Sequence, residues 1–186
     1  MNIPVKSLAI AALLMSSAPQ AEQTKLTQQA AIKIKAFASE LKTALKANIE
    51  QGGLKQGIEV CKSLANPIAK KHSTDGWQLK RTSLKLRNSA NVPDAWEQEQ
   101  LSAFEQQKRQ GADVSKLVAT TMENGNFRLI KAIATGEVCL KCHGKNISPE
   151  VKSLLKQHYP NDLATGFELG DIRGAFSVMK KIKQQP

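Results

Sequence analysis

Apolar residues in the first third of the chain recur every three to four positions, which is the spacing of an amphipathic helix. The stripe over residues 26–49 predicts one long N-terminal helix, which ends at Gly52-Gly53. A second stripe over residues 54–65 predicts another helix and places Cys61 on its buried side. A short helix over residues 68–72 follows, because an Asn-Pro pair at this point is typical of a helix start.

Beyond residue 76 the pattern changes to that of extended strands. Residues 77–87 are rich in Thr, Leu and basic side chains. Their leucines change from an odd position, Leu79, to even positions, Leu84 and Leu86, which predicts a strand with a break near Arg81-Thr82. The Asn124-Gly125 pair lies between two apolar segments and predicts a tight hairpin. Residues 171–179 alternate between apolar and polar side chains and predict a final strand.

Two more helices are predicted in this half, one over residues 94–111 and one over residues 148–159. Helices at the front of the chain and a small antiparallel sheet behind them predict an α+β domain. The length of 186 residues agrees with a single domain.

The N-terminus has the pattern of a secretory signal peptide. One lysine precedes an apolar run at residues 8–15, and small residues follow it. A run of this length is too short to cross a bilayer, which takes about 18 apolar residues or more. We therefore expect cleavage after Ala18 or Ala21, a signal peptide over residues 1–21, a single domain over residues 22–186, and a location in the periplasm.

Composition narrows the choice of partner. The formal net charge is +11, but the lysines lie mostly on the polar faces of predicted helices, which indicates solvated surface rather than a nucleic-acid patch. Aromatic residues make up only 4% of the chain, which disfavours the stacking of bases on aromatic side chains. We expect no nucleic-acid partner and no stable membrane insertion after cleavage.

The clearest chemical signal is the sequence Cys139-Leu-Lys-Cys142-His143. Two cysteines three residues apart lie on one side of a helical turn, where each thiol can add to one vinyl group of a single haem. The adjacent histidine is then placed to bind the iron. One such motif predicts one c-type haem, with Cys139 and Cys142 as its thioether attachments and His143 as the proximal ligand.

Two other uses of these cysteines remain open. Cys139 and Cys142 have the spacing of a redox dithiol, although no βαβ pattern of a thioredoxin-like fold precedes them. Together with Cys61 and His143 they have the residue types of a structural zinc site.

The residues that could occupy the sixth position of the iron are few. They are Cys61, His72, Met122, His158 and Met179. The two methionines lie in contexts typical of packing, and His158 lies in a surface-like Lys-Gln-His-Tyr context. Cys61 stands out because it lies on the apolar face of a helix, and His72 is the second choice.

Four segments follow one another in a characteristic order along the chain. They are Trp-Gln-Leu-Lys-Arg-Thr-Ser-Leu-Lys-Leu-Arg-Asn at residues 77–88, Asn91-x-Pro93-Asp94-x-Trp96-Glu97, the cysteine motif from Cys139 to Gly144, and Gly170-x-Ile172-Arg173-Gly174. Together they resemble a family of bacterial c-type haem proteins with a PAS-like fold. Members of that family are small exported haem proteins, first seen in cyanobacteria, and sensor domains of membrane receptors.

The resemblance implies a haem with mixed His/Cys axial ligation, in which His143 is one ligand and Cys61 the other. A thiolate favours ferric over ferrous iron, so such a haem would have a low reduction potential. Basic side chains are candidate partners of the haem propionates, because buried carboxylates need charge-assisted hydrogen bonds. These candidates are Lys80, Arg81, Arg87 and Arg173.

Two functions fit this picture. The first is a redox sensor or a sensor of a small gaseous ligand, which reports to a signalling protein after Cys61 dissociates on reduction. The second is a low-potential electron carrier whose basic surface docks an acidic redox partner. No arrangement of general acids and bases is visible in the sequence, so we do not expect an enzyme.

Overall fold

The computed structural model describes residues 18–182. It contains five helices: α1 (Ala18–Ser63), α2 (Ala65–His72), α3 (Ala95–Arg109), α4 (Glu137–His143) and α5 (Pro149–His158). It also contains four strands: β1 (Trp77–Thr82), β2 (Val118–Glu123), β3 (Asn126–Ala134) and β4 (Ile172–Lys181). The predicted signal peptide lies outside the described residues, except for residues 18–21, which belong to α1.

The four strands form one antiparallel sheet in the order β1-β4-β3-β2. The last strand of the chain therefore lies at the centre and pairs with both the first strand and the third. Val178 of β4, for example, lies between Leu79 of β1 and Leu129 of β3. Because the last strand, β4, pairs with the first, the sheet brings together residues that are far apart in sequence.

Helices cover both faces of this sheet. On one face, Phe37 and other apolar residues of α1 and α2 pack against Trp77, Phe127 and Val178. On the other face, Leu101 and Phe104 of α3 pack against inward-facing residues of β3 and β4. Because alternate residues of a strand point to opposite faces, the sheet separates neighbouring residues of β1. The expected α+β class and long N-terminal helix are confirmed, and the arrangement is consistent with a PAS-like fold.

Helix α1 is interrupted at Gly52-Gly53, where the backbone leaves helical geometry and Gly53 has φ of 69°. After this point the chain folds back on itself. A Cβ atom at Gly57 would lie 2.8 Å from Cγ1 of Ile49 and 3.4 Å from Cδ1 of Leu45. A straight helix would keep residues eight apart separated by about 12 Å along its axis. The predicted end of the first helix at Gly52-Gly53 is thus confirmed.

Most other local predictions are confirmed as well. Asn124 and Gly125 both have positive φ and close the β2–β3 hairpin. Asp94 caps α3 through the backbone N–H of Glu97. Two predictions were wrong in extent: α2 starts at residue 65 rather than 68, and β1 ends at Thr82, where the break was predicted, so residues 83–87 are not strand.

Within residues 18–182, none of the helices combines the length and the apolar character needed to cross a membrane.

Candidate functional site

Helix α4 carries the three residues of the cysteine motif. Cys139 and Cys142 are free, partly buried thiols on this short helix, and His143 is its last residue. The helix is capped by Gly144, whose N–H donates to the carbonyl of Leu140. A Cβ atom at Gly144 would lie 2.6 Å from that carbonyl oxygen, so only glycine fits there. Burial raises the pKa of the Cys142 thiol, and the negative charges of Cys61 and Cys139 add to the rise, while Arg87 opposes it.

The ring of His143 is held by the loop that follows α5. Gly166 and Phe167 pair with the backbone at the end of α4, and this pairing brings the carbonyl of Ala164 to 2.7 Å from Nδ1 of His143. A carbonyl oxygen can only accept, so Nδ1 carries the proton and Nε2 is left with its lone pair. Burial lowers the pKa of His143 well below its usual value, and Arg173 and Arg87 lower it further. His143 is therefore neutral, and the lone pair of Nε2 faces Nη1 of Arg87 at 3.3 Å.

Arg87 is the most heavily bonded side chain in this region. Its Nη1 lies 3.3 Å from Nε2 of His143, and its Nη2 donates to the carbonyl of Cys142 at 2.6 Å. The guanidinium also forms an ion pair with Asp162 at 2.8 Å, and the two side chains are only 7% and 10% exposed. Asp162 also accepts a bond from the N–H of Ala164. Arg87 and Asp162 thus connect α4 to the loop that orients His143.

Arg173 reaches the same ring because β4 contains a bulge. The register between β3 and β4 shifts at Ile133–Ala134, so Arg173 has no partner opposite it. At the next residue, Gly174 has φ of 146°, and a Cβ atom there would lie 2.3 Å from the carbonyl oxygen of Thr82. A bulge redirects a side chain, and here Nε of Arg173 lies 3.1 Å from Nδ1 of His143.

Arg81, Arg87 and Arg173 lie close together in this region, and the carboxylate of Asp162 forms a salt bridge with Arg87. Burial lowers the pKa of Arg81, and burial together with the neighbouring charges of Arg87 and Arg81 lowers the pKa of Arg173 to about 10. Among residues 18–182, no salt bridge joins Arg81 or Arg173 to a carboxylate. The cluster of Arg81, Arg87 and Arg173 therefore holds a buried excess of positive charge.

Cys61 belongs to the same region. Its thiol is partly buried, and its negative charge when ionised raises the pKa of Arg81, Cys142 and Tyr159. Tyr159 itself is buried, which together with Cys61 raises its pKa to about 12, and Arg87 stacks over its ring at 5.9 Å. The tertiary structure therefore brings the third cysteine to the helix that carries the other two.

Two of the predicted site residues lie elsewhere. Lys80 points to the α3 face of the sheet and pairs with the buried Glu97 at 2.8 Å, whereas its neighbour Arg81 points to the opposite face. His72 donates from Nε2 to Glu40 at 2.8 Å, and its ring lies 6.2 Å from that of Phe37. Among residues 18–182, no hydrogen bond or ion pair joins His72 to Arg81, Arg87 or Arg173. The structure thus gathers Cys61, the three arginines and α4, but not Lys80 or His72.

Met122 and Met179 lie beside the β2–β3 hairpin, at the end of the sheet where β1 begins. The surface-like interpretation of His158 was wrong, since its side chain is only 16% exposed and contacts α1. Within the described part of the chain, no three His, Cys, Asp or Glu side chains are arranged to hold a metal ion.

Sequence reasoning missed Asp162, Tyr159 and the carbonyl of Ala164. Nothing in the local sequence around residues 159–164 indicates contact with Arg87 or His143, which are distant in sequence. The one available signal was that Tyr159 is the single tyrosine of a chain poor in aromatic residues.

The fold and the site define a class of protein: an α+β domain that presents a Cys-x-x-Cys-His helix to a buried cluster of arginines. Residues 14–180 match the model of the Tll0287-like family, and the chain belongs to this family. The resemblance drawn from the four sequence segments is thereby confirmed.

Comparison with known structures gives the same fold. The crystal structure of the cyanobacterial heme-protein Tll0287 superposes with a TM-score of 0.58 at 24% sequence identity, covering 85% of this chain and 98% of that one. A likeness at this identity shows a shared fold. No curated protein sequence matches the chain.

Proposed function

We propose that this chain is an exported c-type cytochrome with one haem, whose iron is bound by His143 and Cys61, and that it acts as a redox or small-ligand sensor. One observation carries the proposal. His143, at the end of the Cys139–Cys142 helix, has its Nδ1 proton engaged by Ala164, so Nε2 carries a lone pair, which faces Arg87 in a region that also contains the third cysteine.

The chemistry of the surrounding residues fits a haem. Cys139 and Cys142 supply two thiols on one helix for covalent attachment. A haem carries two carboxylates, and Arg81 and Arg173 are buried cations that form no salt bridge with a described carboxylate. Lys80 is not part of this set, because Glu97 holds it on the other face of the sheet. The relative in this fold is itself described as a heme-protein.

When bound, the haem would supply a one-electron redox centre and a coordination position that a small molecule can occupy. Cys61 decides how that position behaves. As a thiolate it donates negative charge, which stabilises the ferric state and lowers the reduction potential. After reduction we expect Sγ of Cys61 to bind less well, take up a proton and leave the position open. Such a change would couple the redox state to the conformation of α1.

An optical experiment tests this proposal. The full chain is matured with haem-attachment machinery and its spectrum is recorded when oxidised, when reduced with dithionite and after addition of carbon monoxide. We expect a thiolate-type ferric spectrum that Cys61→Ala abolishes, and carbon monoxide binding after reduction. Absence of a Soret band would refute haem binding, and an unchanged spectrum of Cys61→Ala would refute the ligand assignment. His72→Ala tests the second choice of ligand in the same way.

The second candidate function is a low-potential electron carrier of the periplasm. The net charge of +11 favours it, because a basic surface increases the rate of encounter with an acidic redox partner. In this case Cys61 would stay bound in both redox states and the reduced protein would not take up carbon monoxide. Either function requires a redox or signalling protein as partner and no catalytic residues.

A further inference from the structure

The part of α1 that carries Cys61 is a short helix of its own. We call residues 54–63 the Cys61 segment; it begins after the Gly52-Gly53 break and ends at Ser63. Because the break separates it from the rest of α1, the direction of Cys61 depends on what holds this segment in place. On its apolar side, Leu54 and Ile58 pack against α5 together with Cys142. Apolar contacts of this kind are not directional and tolerate rotation better than hydrogen bonds.

One polar side chain of α5 contacts the Cys61 segment at two points. Nε2 of His158 lies 3.1 Å from Oε1 of Glu59, and Nδ1 of His158 lies 3.3 Å from Nζ of Lys62. A carboxylate only accepts and an ammonium only donates. The ring therefore donates from Nε2 to Glu59 and accepts at Nδ1 from Lys62, so that both nitrogens are used at once.

The two contacted residues lie on either side of Cys61 in sequence. Successive residues are about 100° apart around a helix axis, so Glu59 and Lys62 are about 60° from each other and share one side of the segment. Cys61 lies about 100° from Lys62 and points in another direction. A side chain that holds both Glu59 and Lys62 therefore fixes the rotation of the segment about its axis, and with it the direction of Sγ.

We propose that His158 is a positioning residue, which holds the Cys61 segment through Glu59 and Lys62 so that Sγ of Cys61 faces the iron site. This inference rests on the proposed ligation by Cys61 and adds the residue that controls it. His158 does not touch the iron or the haem in this role. Its loss frees the segment to rotate and lets other ligands compete with Cys61.

The experiment uses the haem-loaded full chain in the ferric state and exogenous imidazole as the competing ligand. His158→Leu removes both polar contacts but keeps apolar volume. A hydrogen bond to a charged group is worth about one to two powers of ten in an equilibrium. We expect the apparent affinity for imidazole to rise about 10- to 100-fold, with loss of the thiolate-type spectrum at lower imidazole concentration.

Two variants separate positioning from general destabilisation. His158→Gln keeps one donor and one acceptor, so it should restore most of the resistance to imidazole. Glu59→Gln weakens the contact more mildly, and Glu40→Gln is its matched control. Both glutamates lie on α1, accept from a histidine and have similar exposure, 37% for Glu59 and 34% for Glu40. Only Glu59→Gln should change imidazole affinity.

The outcomes distinguish this inference from the proposed function. If Cys61→Ala raises imidazole affinity but His158→Leu and Glu59→Gln stay within twofold of the natural protein, His158 does not position Cys61. Equal effects of Glu40→Gln and Glu59→Gln would also overturn the inference. If Cys61→Ala itself changes nothing, ligation by Cys61 fails, and the positioning role fails with it.

Discussion

Replacement of Asp162 by asparagine tests whether the arginine cluster stores excess positive charge. Asp162 receives two hydrogen bonds from Arg87, at 2.8 and 3.1 Å, and one from the N–H of Ala164 at 2.8 Å. Asparagine keeps the size and one acceptor oxygen but removes the negative charge. The buried guanidinium of Arg87 then has no counter-charge, and the charge of Arg173 loses the carboxylate that raises its pKa.

The magnitude follows from burial. Exposed ion pairs contribute about 0–1 kcal/mol, but this pair is 7% and 10% exposed, so that value does not apply. Breaking a buried pair by removing one partner costs about 3–5 kcal/mol, because the remaining charge stays buried and unpaired. For a domain of this size each kcal/mol corresponds to about 2–4 °C, which gives a fall in Tm of about 6–20 °C.

The assay is urea and thermal unfolding of the chain without haem, with circular dichroism as the signal that monitors unfolding. Glu168→Gln is the matched control, since Glu168 forms an ion pair with Lys145 in which both side chains are more than 60% exposed. We expect the control to cost less than about 1 kcal/mol. If Asp162→Asn costs no more than the control, the arginine cluster is not a buried charge excess. With haem bound, its carboxylates should offset part of the loss caused by Asp162→Asn.

Three further predictions concern single residues. Tyr159 is the only tyrosine, so the absorbance change on its ionisation should have a midpoint near pH 12 in the folded protein and about two units lower in denaturant. Because the unfolded state loses this proton first, the free energy of unfolding should fall as the pH rises from 10 to 12. A midpoint near pH 10 in the folded protein would contradict the burial of Tyr159. Gly174→Ala should cost more than about 1 kcal/mol in urea unfolding, since its Cβ would meet the carbonyl oxygen of Thr82; a neutral result would refute the bulge geometry. Phe127→Ala should cost about 3–5 kcal/mol because its ring is fully buried, whereas the half-exposed Val118→Ala should cost less than about 0.5 kcal/mol; similar losses would refute the assigned core.

Local structure was predictable where neighbouring residues determine it. The Asn124-Gly125 hairpin follows from two residues that tolerate positive φ, and the start of α3 follows from the cap formed by Asp94 and Glu97. The extent of β1 was less predictable. Its end at Thr82 depends on pairing with β4, which lies about ninety residues later and leaves Ser83 bonded to the carbonyl of Arg173.

The candidate site shows the same division. Alternation along β1 sends Lys80 to Glu97 and Arg81 to the Cys61 side, yet the sequence does not say which face holds which helix. Arg173 turns toward His143 only because the bulge at Gly174 removes it from the ladder. Such contacts join residues from different elements of the chain, and hydrophobic periodicity carries no information about them.

The sequence by itself determined the α+β class and the family, because these depend on residue type, hydrophobic spacing and the order of the four segments. Tertiary structure alone decided that the carbonyl of Ala164 accepts from Nδ1 of His143 and that Asp162 neutralises Arg87. It also decided that the Cys61 segment folds back at Gly52-Gly53 and reaches α4. The reason is physical: burial and charge act through space, and only the paired strands and the helices packed on them bring these groups within reach of one another.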